Sequence, residues 1–129
     1  MAAPPAVAVP SEAVRSAFLE AVRASLPDLR LLTDPVDRES YRRDETAYLS
    51  TGLPLAVALP ANTAEVSGLM RLAAQHRIPI VPRGAGSGLS GGAAGIEGAL
   101  TIAMTRMNAI LEIDKANLCV VTQPGIINA

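Results

Sequence analysis

The stretch that most restricts how this chain can fold is Pro82-Arg83-Gly84-Ala85-Gly86-Ser87-Gly88-Leu89-Ser90-Gly91-Gly92, directly after the apolar run Ile78-Pro79-Ile80-Val81. Five glycines and two serines in eleven residues exclude a regular helix or strand and demand a loop. Glycine reaches positive φ at little steric cost and lets another group approach the main chain, so a run of glycines can aim several N–H groups at one point. Such a nest binds phosphate, and Ser87 and Ser90 add hydroxyl donors. Ile78 to Val81 reads as a buried strand that holds the loop rigid. A flexible Gly/Ser linker is the alternative, but a linker rarely sits between two apolar runs with Pro-Arg at its entrance.

Gly86-Ser87-Gly88-Leu89-Ser90-Gly91 fits the G-x-G-x-x-G pattern of dinucleotide-binding βαβ units. That pattern needs a helix opening on the loop and an acidic residue near the end of the next strand, and neither is present. Only Gly92-Ala93-Ala94-Gly95-Ile96-Glu97-Gly98 separates the loop from the apolar run Ala99 to Met104, which is too short and glycine-rich for a crossover helix. That run ends in Thr105-Arg106, without a carboxylate. A Walker loop is excluded too, because Gly92 stands where its lysine would follow. The loop therefore joins strand to strand.

The rest of the chain is punctuated clearly. Residues 1–10 form a Pro/Ala-rich tail expected to be disordered. Ser11 caps an amphipathic helix in which Val14, Ala17, Phe18, Ala21 and Val22 share a face, until Pro27 ends the pattern. Asp28 to Gly52 is polar and reads as an irregular connection. Leu55 to Leu59 is a short strand. Asn62 caps a helix with Glu65 placed for a capping box, and Val66, Leu69, Met70 and Ala73 fall on the face that covers the sheet. His76 and Arg77 lie in its last turn, complementing the helix dipole. Ile80-Val81 is then the second, parallel strand, reached by a right-handed crossover. Ala99–Ala103, Ile110–Ile113 and Leu118–Thr122 read as three further strands, the last two forming a hairpin around Asp114-Lys115-Ala116-Asn117.

Composition limits the function classes. With 129 residues, 50% of them hydrophobic, there is apolar material for one modest core almost free of aromatics. A net charge of −1 and a pI near 5.8, without a basic stripe, argue against nucleic acid. The single histidine, His76, and single cysteine, Cys119, assemble neither a metal site nor a catalytic triad. Cys119 reads as a small apolar strand filler, and a lone cysteine makes a reducing, cytoplasmic compartment the default. The N-terminus lacks the basic region of a signal peptide, and no stretch is apolar for long enough to span a bilayer. Arg83 stays open between a phosphate contact and an ion pair with Asp44 or Glu45.

Several separate segments resemble one family in order and spacing. Tyr41-Arg42-Arg43-Asp44-Glu45 with Tyr48, Pro54 to Pro60, Thr63 to Arg77, Ile80 to Ala93, Met107 to Asp114, and Val120-Val121-Thr122-Gln123-Pro124-Gly125 are similar to the start of the FAD-binding domain of the vanillyl-alcohol oxidase/PCMH flavoprotein superfamily. The likeness is greatest to its FAD-linked 2-hydroxy-acid dehydrogenases, the group of the glycolate oxidase D subunit and D-lactate dehydrogenase.

The resemblance implies an α/β (α+β) fold: the N-terminal part of a PCMH-type domain, with a small parallel βαβ unit, further strands and a preceding amphipathic helix. It divides the chain into the 1–10 tail, an 11–52 helix and entry segment, and an incomplete 53–129 FAD-binding domain. It implies cofactor contacts from Pro82, Arg83, Gly84, Ala85, Gly86, Ser87, Gly88, Leu89, Ser90 and Gly91, with Pro124 and Gly125 as a second wall. Relatives with covalent flavin carry His at the place of Ser87, so FAD is expected to be noncovalent. The implied reaction passes a hydride from a small 2-hydroxy acid to the flavin, giving the 2-oxo acid, with electrons going on to an acceptor or other oxidase subunits, in the cytoplasm or at the periphery of the inner membrane. The family's domain continues beyond Gly125 into a substrate domain that would hold the catalytic groups, so no catalytic residue is named. Asn128-Ala129 reads as the cap and first residue of a further helix. The expectation is half a binding site, inactive by itself. The alternatives are a non-catalytic fragment or a flavin-dependent alcohol or aldehyde oxidase.

Overall fold

The computed structural model describes residues 8–46 and 51–127. The first seven tail residues, Tyr48 and Asn128-Ala129 lie outside the described residues.

Helix α1 spans Glu12–Ser25, with the Ser11 hydroxyl accepting the Val14 N–H at its start. Its buried stripe is Phe18 and Val22. The connection expected to be irregular contains strand β1, Arg30–Leu32, and a one-turn helix α2, Pro35–Glu39. Both were hidden because three residues of strand and five of helix are shorter than the windows in which periodicity shows. The signal for α2 was nonetheless present: Asp34 caps it by accepting the Val36 N–H at 2.8 Å, and Pro35 holds the first helical position.

Strand β2 is Ala56–Leu59, followed by helix α3, Thr63–His76. Asn62 Oδ1 accepts the Glu65 N–H at 2.9 Å, and Glu65 Oε2 reaches back to the Ala61 N–H at 2.7 Å. The capping box thus closes one residue earlier than its usual form. Leu69 and Ala73 are buried as expected, whereas Met70 is 48% exposed. The sheet-facing stripe is narrower than the spacing implied, because Leu72 completes it from the other side. The helix ends in a Schellman turn: Ile78 N–H bonds to Ala73 O and Arg77 N–H to Ala74 O, with Arg77 at φ 53° where glycine is usual. His76 is not simply solvated, since its ring meets Phe18 edge-on at 5.9 Å.

Strand β3, Ile80–Arg83, and strand β4, Leu100–Ala103, complete a sheet of order β1-β2-β4-β3. β2 and β3 are parallel as expected, but they are not neighbours: β4 lies between them, paired parallel to both, while β1 joins β2 antiparallel. Pro79 and Pro82 explain this order. Proline cannot donate to a ladder and is confined to sheet edges, so Leu100–Ala103, which has no proline and is buried at every position, takes the centre.

Alternation along the strands builds two cores. Ala56, Ala58, Leu100 and Ile102 face α1 and α3, packing on Phe18, Val22, Leu69 and Ala73. Val57, Leu59 and Ala103 face the other way, covered by Leu32 and Tyr41. After a 3-10 turn, Met104–Arg106, the chain forms a separate hairpin of β5, Ile110–Asp114, and β6, Cys119–Thr122. Almost every residue of this hairpin is exposed, Cys119 included, so Cys119 fills no core.

Candidate functional site

Strands β2, β3 and β4 are mutually parallel, so their carboxyl ends share one edge of the sheet, where α/β folds place ligands. The glycine-rich loop leaves β3 at this edge. Pro82 and Arg83 belong to the strand itself, and the loop proper begins at Gly84. Gly86 and Gly91 take φ 79° and 78°, while Gly84, Gly88 and Gly92 have open space where a side chain would stand. Among the described residues, no backbone N–H from Gly84 to Gly92 donates to a protein carbonyl. A strand-anchored loop of nine consecutive uncommitted donors suits a multiply charged anion.

The Arg83 side chain is turned into the loop's own framework. Its Nη1 donates to Arg43 O at 2.9 Å and to Ala93 O at 3.1 Å, and its guanidinium lies 5.6 Å from the Tyr41 ring centre. Neither Asp44 nor Glu45 is its partner. Asp44 instead accepts the Thr46 N–H at 2.9 Å, and that bond holds its carboxyl below the ordinary value of 3.8. The entry segment runs along the loop's exit, with Gly95 N–H on Arg42 O and Gly52 N–H on Gly95 O, both at 2.8 Å.

The second glycine turn is brought to the same edge by the hairpin. Gln123 closes its base, its N–H on Ala109 O and its side chain accepting the Ala109 N–H, and Gly125 N–H then bonds to Met107 O at 2.8 Å. Ala85 of the loop and Gly125 of the turn both line a cleft of about 420 Å³, together with Thr105, Asn108, Ile126 and Ile127. A second cleft of about 450 Å³ opens on the other side of Ala85 and Thr105, bounded by Arg30, Asp37, Tyr41 and Arg83. Ser87, Gly88, Leu89 and Ser90 stand exposed at the loop's tip and line neither cleft, and Pro124 is exposed beside Gly125. Sequence reasoning missed Thr105 and Asn108. Their signal was positional: they follow the central parallel strand at its carboxyl end.

This arrangement fits a dinucleotide. Uncommitted amides on Gly84 to Gly92 match a pyrophosphate, and the adjoining cleft, with apolar Ile126 and Ile127 and polar Thr105 and Asn108, has room for a ring system beside it. The class is thus a dinucleotide-binding α/β domain whose loop runs strand to strand, without a Rossmann crossover.

Residues 54–129 match the family described as FAD binding domain, and the chain belongs to that family, within the vanillyl-alcohol oxidase/PCMH flavoproteins. Glycolate oxidase subunit GlcD of Bacillus subtilis is 48% identical over 87 residues, 67% of this chain and 18% of that protein. A D-lactate dehydrogenase of Anaerostipes hadrus is 34% identical over 110 residues, 85% of this chain and 23% of its own length. Among solved structures, p-cresol methylhydroxylase with substrate bound superposes with a TM-score of 0.77 at 21% identity, covering 93% of this chain and 24% of that one, which shows the shared fold. The chain spans roughly a fifth of the length of these curated relatives.

Proposed function

We propose that this chain supplies the pyrophosphate-binding part of a noncovalent FAD site in an oxidoreductase that converts a small 2-hydroxy acid to its 2-oxo acid, in the cytoplasm. The observation that carries the reading is the cleft lined by both Ala85 of the amide-rich loop and the Gly125 turn. Amides of Gly84 to Gly91 donate to the two phosphates, with the positive-φ glycines Gly86 and Gly91 setting their direction. Thr105 and Asn108 offer side-chain donors beside them, and Ile126 and Ile127 add apolar surface to the lining. When bound, the flavin supplies the hydride-accepting chemistry. Glycolate and D-lactate, the compounds for which the two relatives are named, are both 2-hydroxy acids, and this favours that substrate class over a simple alcohol or aldehyde.

Titrating the chain, extended to the length of its relatives, with FAD and with riboflavin, which lacks the pyrophosphate, tests the cofactor reading. FAD is expected to bind much more tightly than riboflavin, and equal affinities would remove the loop from the site. The substrate reading is tested on the chain extended to the length of its relatives. Anaerobic addition of glycolate or D-lactate should bleach the yellow flavin band, and bleaching by simple alcohols alone would overturn it.

A further inference from the structure

The chain repeatedly uses arginine to fasten backbone to backbone. Arg38 Nη1 donates to Pro54 O and Leu55 O at 2.8 and 3.1 Å, and Arg106 Nη1 donates to Leu59 O at 3.0 Å. Arg83 has the same form, but what it ties is the loop. One guanidinium nitrogen joins Ala93 O, at the loop's exit, to Arg43 O, in the entry segment. The opposite nitrogen, Nη2, occupies the place where a side chain on Gly86 would begin, and Tyr41 covers the group's face. The side chain leaves from the last residue of β3 and ends under the loop's turn, so strand, loop entry and loop exit are held by one planar group.

We infer that Arg83 is a positioning residue: it braces the loop in its anion-receiving shape from beneath, through Gly86 and Ala93, and is not itself a phosphate ligand. The inference deepens the FAD reading above and rests on it for its effect on affinity. Its physical content is preorganisation. The N–H groups of Gly84 to Gly92 make no backbone bonds among the described residues, and the loop's one backbone tie is the Gly91 carbonyl accepting the Ala94 N–H at 3.2 Å, so side-chain bonds to its frame contribute to holding the shape that receives phosphate. Nη1 serves both carbonyls while Nη2 fills the space under Gly86 and the group lies over Tyr41, a span that a planar guanidinium covers and a compact ammonium does not. If loss of the brace leaves one loop in ten in the receptive shape, apparent affinity falls about tenfold.

The test compares Arg83→Lys, Arg83→Ala, Tyr41→Leu and the Arg83→Lys/Tyr41→Leu double variant with the unaltered parent, each extended to the length of its relatives, in FAD titrations at several salt concentrations. Two further readouts are the urea midpoint and the rate of chymotryptic cutting after the exposed Leu89. Both Arg83 variants are expected to bind FAD about tenfold more weakly, with the same salt dependence as the parent and little change in urea midpoint. Cutting after Leu89 should be faster, and the Arg83→Lys and Tyr41→Leu effects should be non-additive. Parental affinity in Arg83→Lys, or a flattened salt dependence in Arg83→Ala, would make Arg83 a direct phosphate ligand and overturn the brace. Affinity that falls only in proportion to a lost urea midpoint would overturn it as well. Should the parent chain bind no FAD, the cofactor reading fails, while the cutting rate still decides whether Arg83 holds the loop.

Discussion

Gly125 rests directly on the carbonyl of Met104: a β-carbon there would stand 2.7 Å from the Met104 carbonyl carbon and 2.8 Å from the Met107 oxygen. The glycine is therefore a condition for seating the second turn against the end of β4, in the cleft that Ala85 also lines. Both neighbours are backbone, so neither can swing aside. Gly125→Ala is expected to push the turn away, costing about 1–3 kcal/mol by overpacking and weakening FAD binding severalfold more than it weakens riboflavin binding. Urea unfolding and parallel titrations measure the two effects, and an unchanged FAD affinity would detach this turn from the site.

Phe18 has no exposed surface and bridges α1 to the α3–sheet core, with His76 edge-on to its ring. Phe18→Ala removes the sole phenylalanine of an aromatic-poor core and should cost about 3–5 kcal/mol, a large fraction of a domain's stability. Chemical denaturation followed by far-UV circular dichroism gives the value. A loss below about 1 kcal/mol would mean that α1 contributes little to the fold.

Arg77 holds a left-handed conformation, φ 53°, at the Schellman turn that ends α3. A non-glycine residue there is strained, and the side chain is exposed. Arg77→Gly relieves the strain at some cost in unfolded-state entropy, so a net gain of about 0.5–1 kcal/mol is expected. A lower melting temperature in this variant would count against the assigned backbone geometry.

Asp114 closes the β5–β6 turn by accepting the Asn117 side-chain amide at 2.6 Å and the Asn117 N–H at 3.0 Å. These bonds, the side-chain one foremost, lower its pKa from 3.8. A carboxyl whose folded pKa is depressed stabilises the fold fully above the unfolded value, and that contribution disappears as pH falls from about 3.8 through the lower folded value. The stability difference between the parent chain and Asp114→Asn should accordingly be constant near neutrality and shrink toward zero in the acid limb. Equilibrium unfolding at pH 7 and pH 3 compares them, and a pH-independent difference would contradict the turn chemistry.

Ser87 stands exposed at the loop tip, and the noncovalent FAD proposed above would carry no bond to it. Acid precipitation of the FAD-loaded chain should leave the flavin in the supernatant. Yellow colour retained in the washed pellet would show a covalent bond.

Much of the local structure was legible because it is written in short-range chemistry. Ser11 and Asn62 mark where α1 and α3 begin, Pro27 marks where the first helix pattern stops, and Asp114 to Asn117 is a hairpin turn by composition alone. β1 and α2 escaped because they are too short to show a period. Met70 and Cys119 were misplaced for a different reason: burial depends on what lies opposite, and nothing among the described residues covers β6 or the outer side of α3 at Met70. Arg83 shows the limit most clearly. Its neighbours in sequence suggested a phosphate or a carboxylate, whereas its partners are carbonyls forty positions before it and ten after it.

By itself the sequence determined that a glycine-rich loop must follow a strand, that no crossover helix could follow the loop, and that the chain is an α/β domain, because backbone freedom, helix caps and apolar periodicity act over a few residues. The tertiary structure decided that β4 would separate β2 from β3, that Ala85 and Gly125 would line one cleft, and that Arg83 would tie the loop's exit to the entry segment. Those outcomes depend on which apolar strand gains most from the fully buried centre, and on where distant carbonyls fall once it is there.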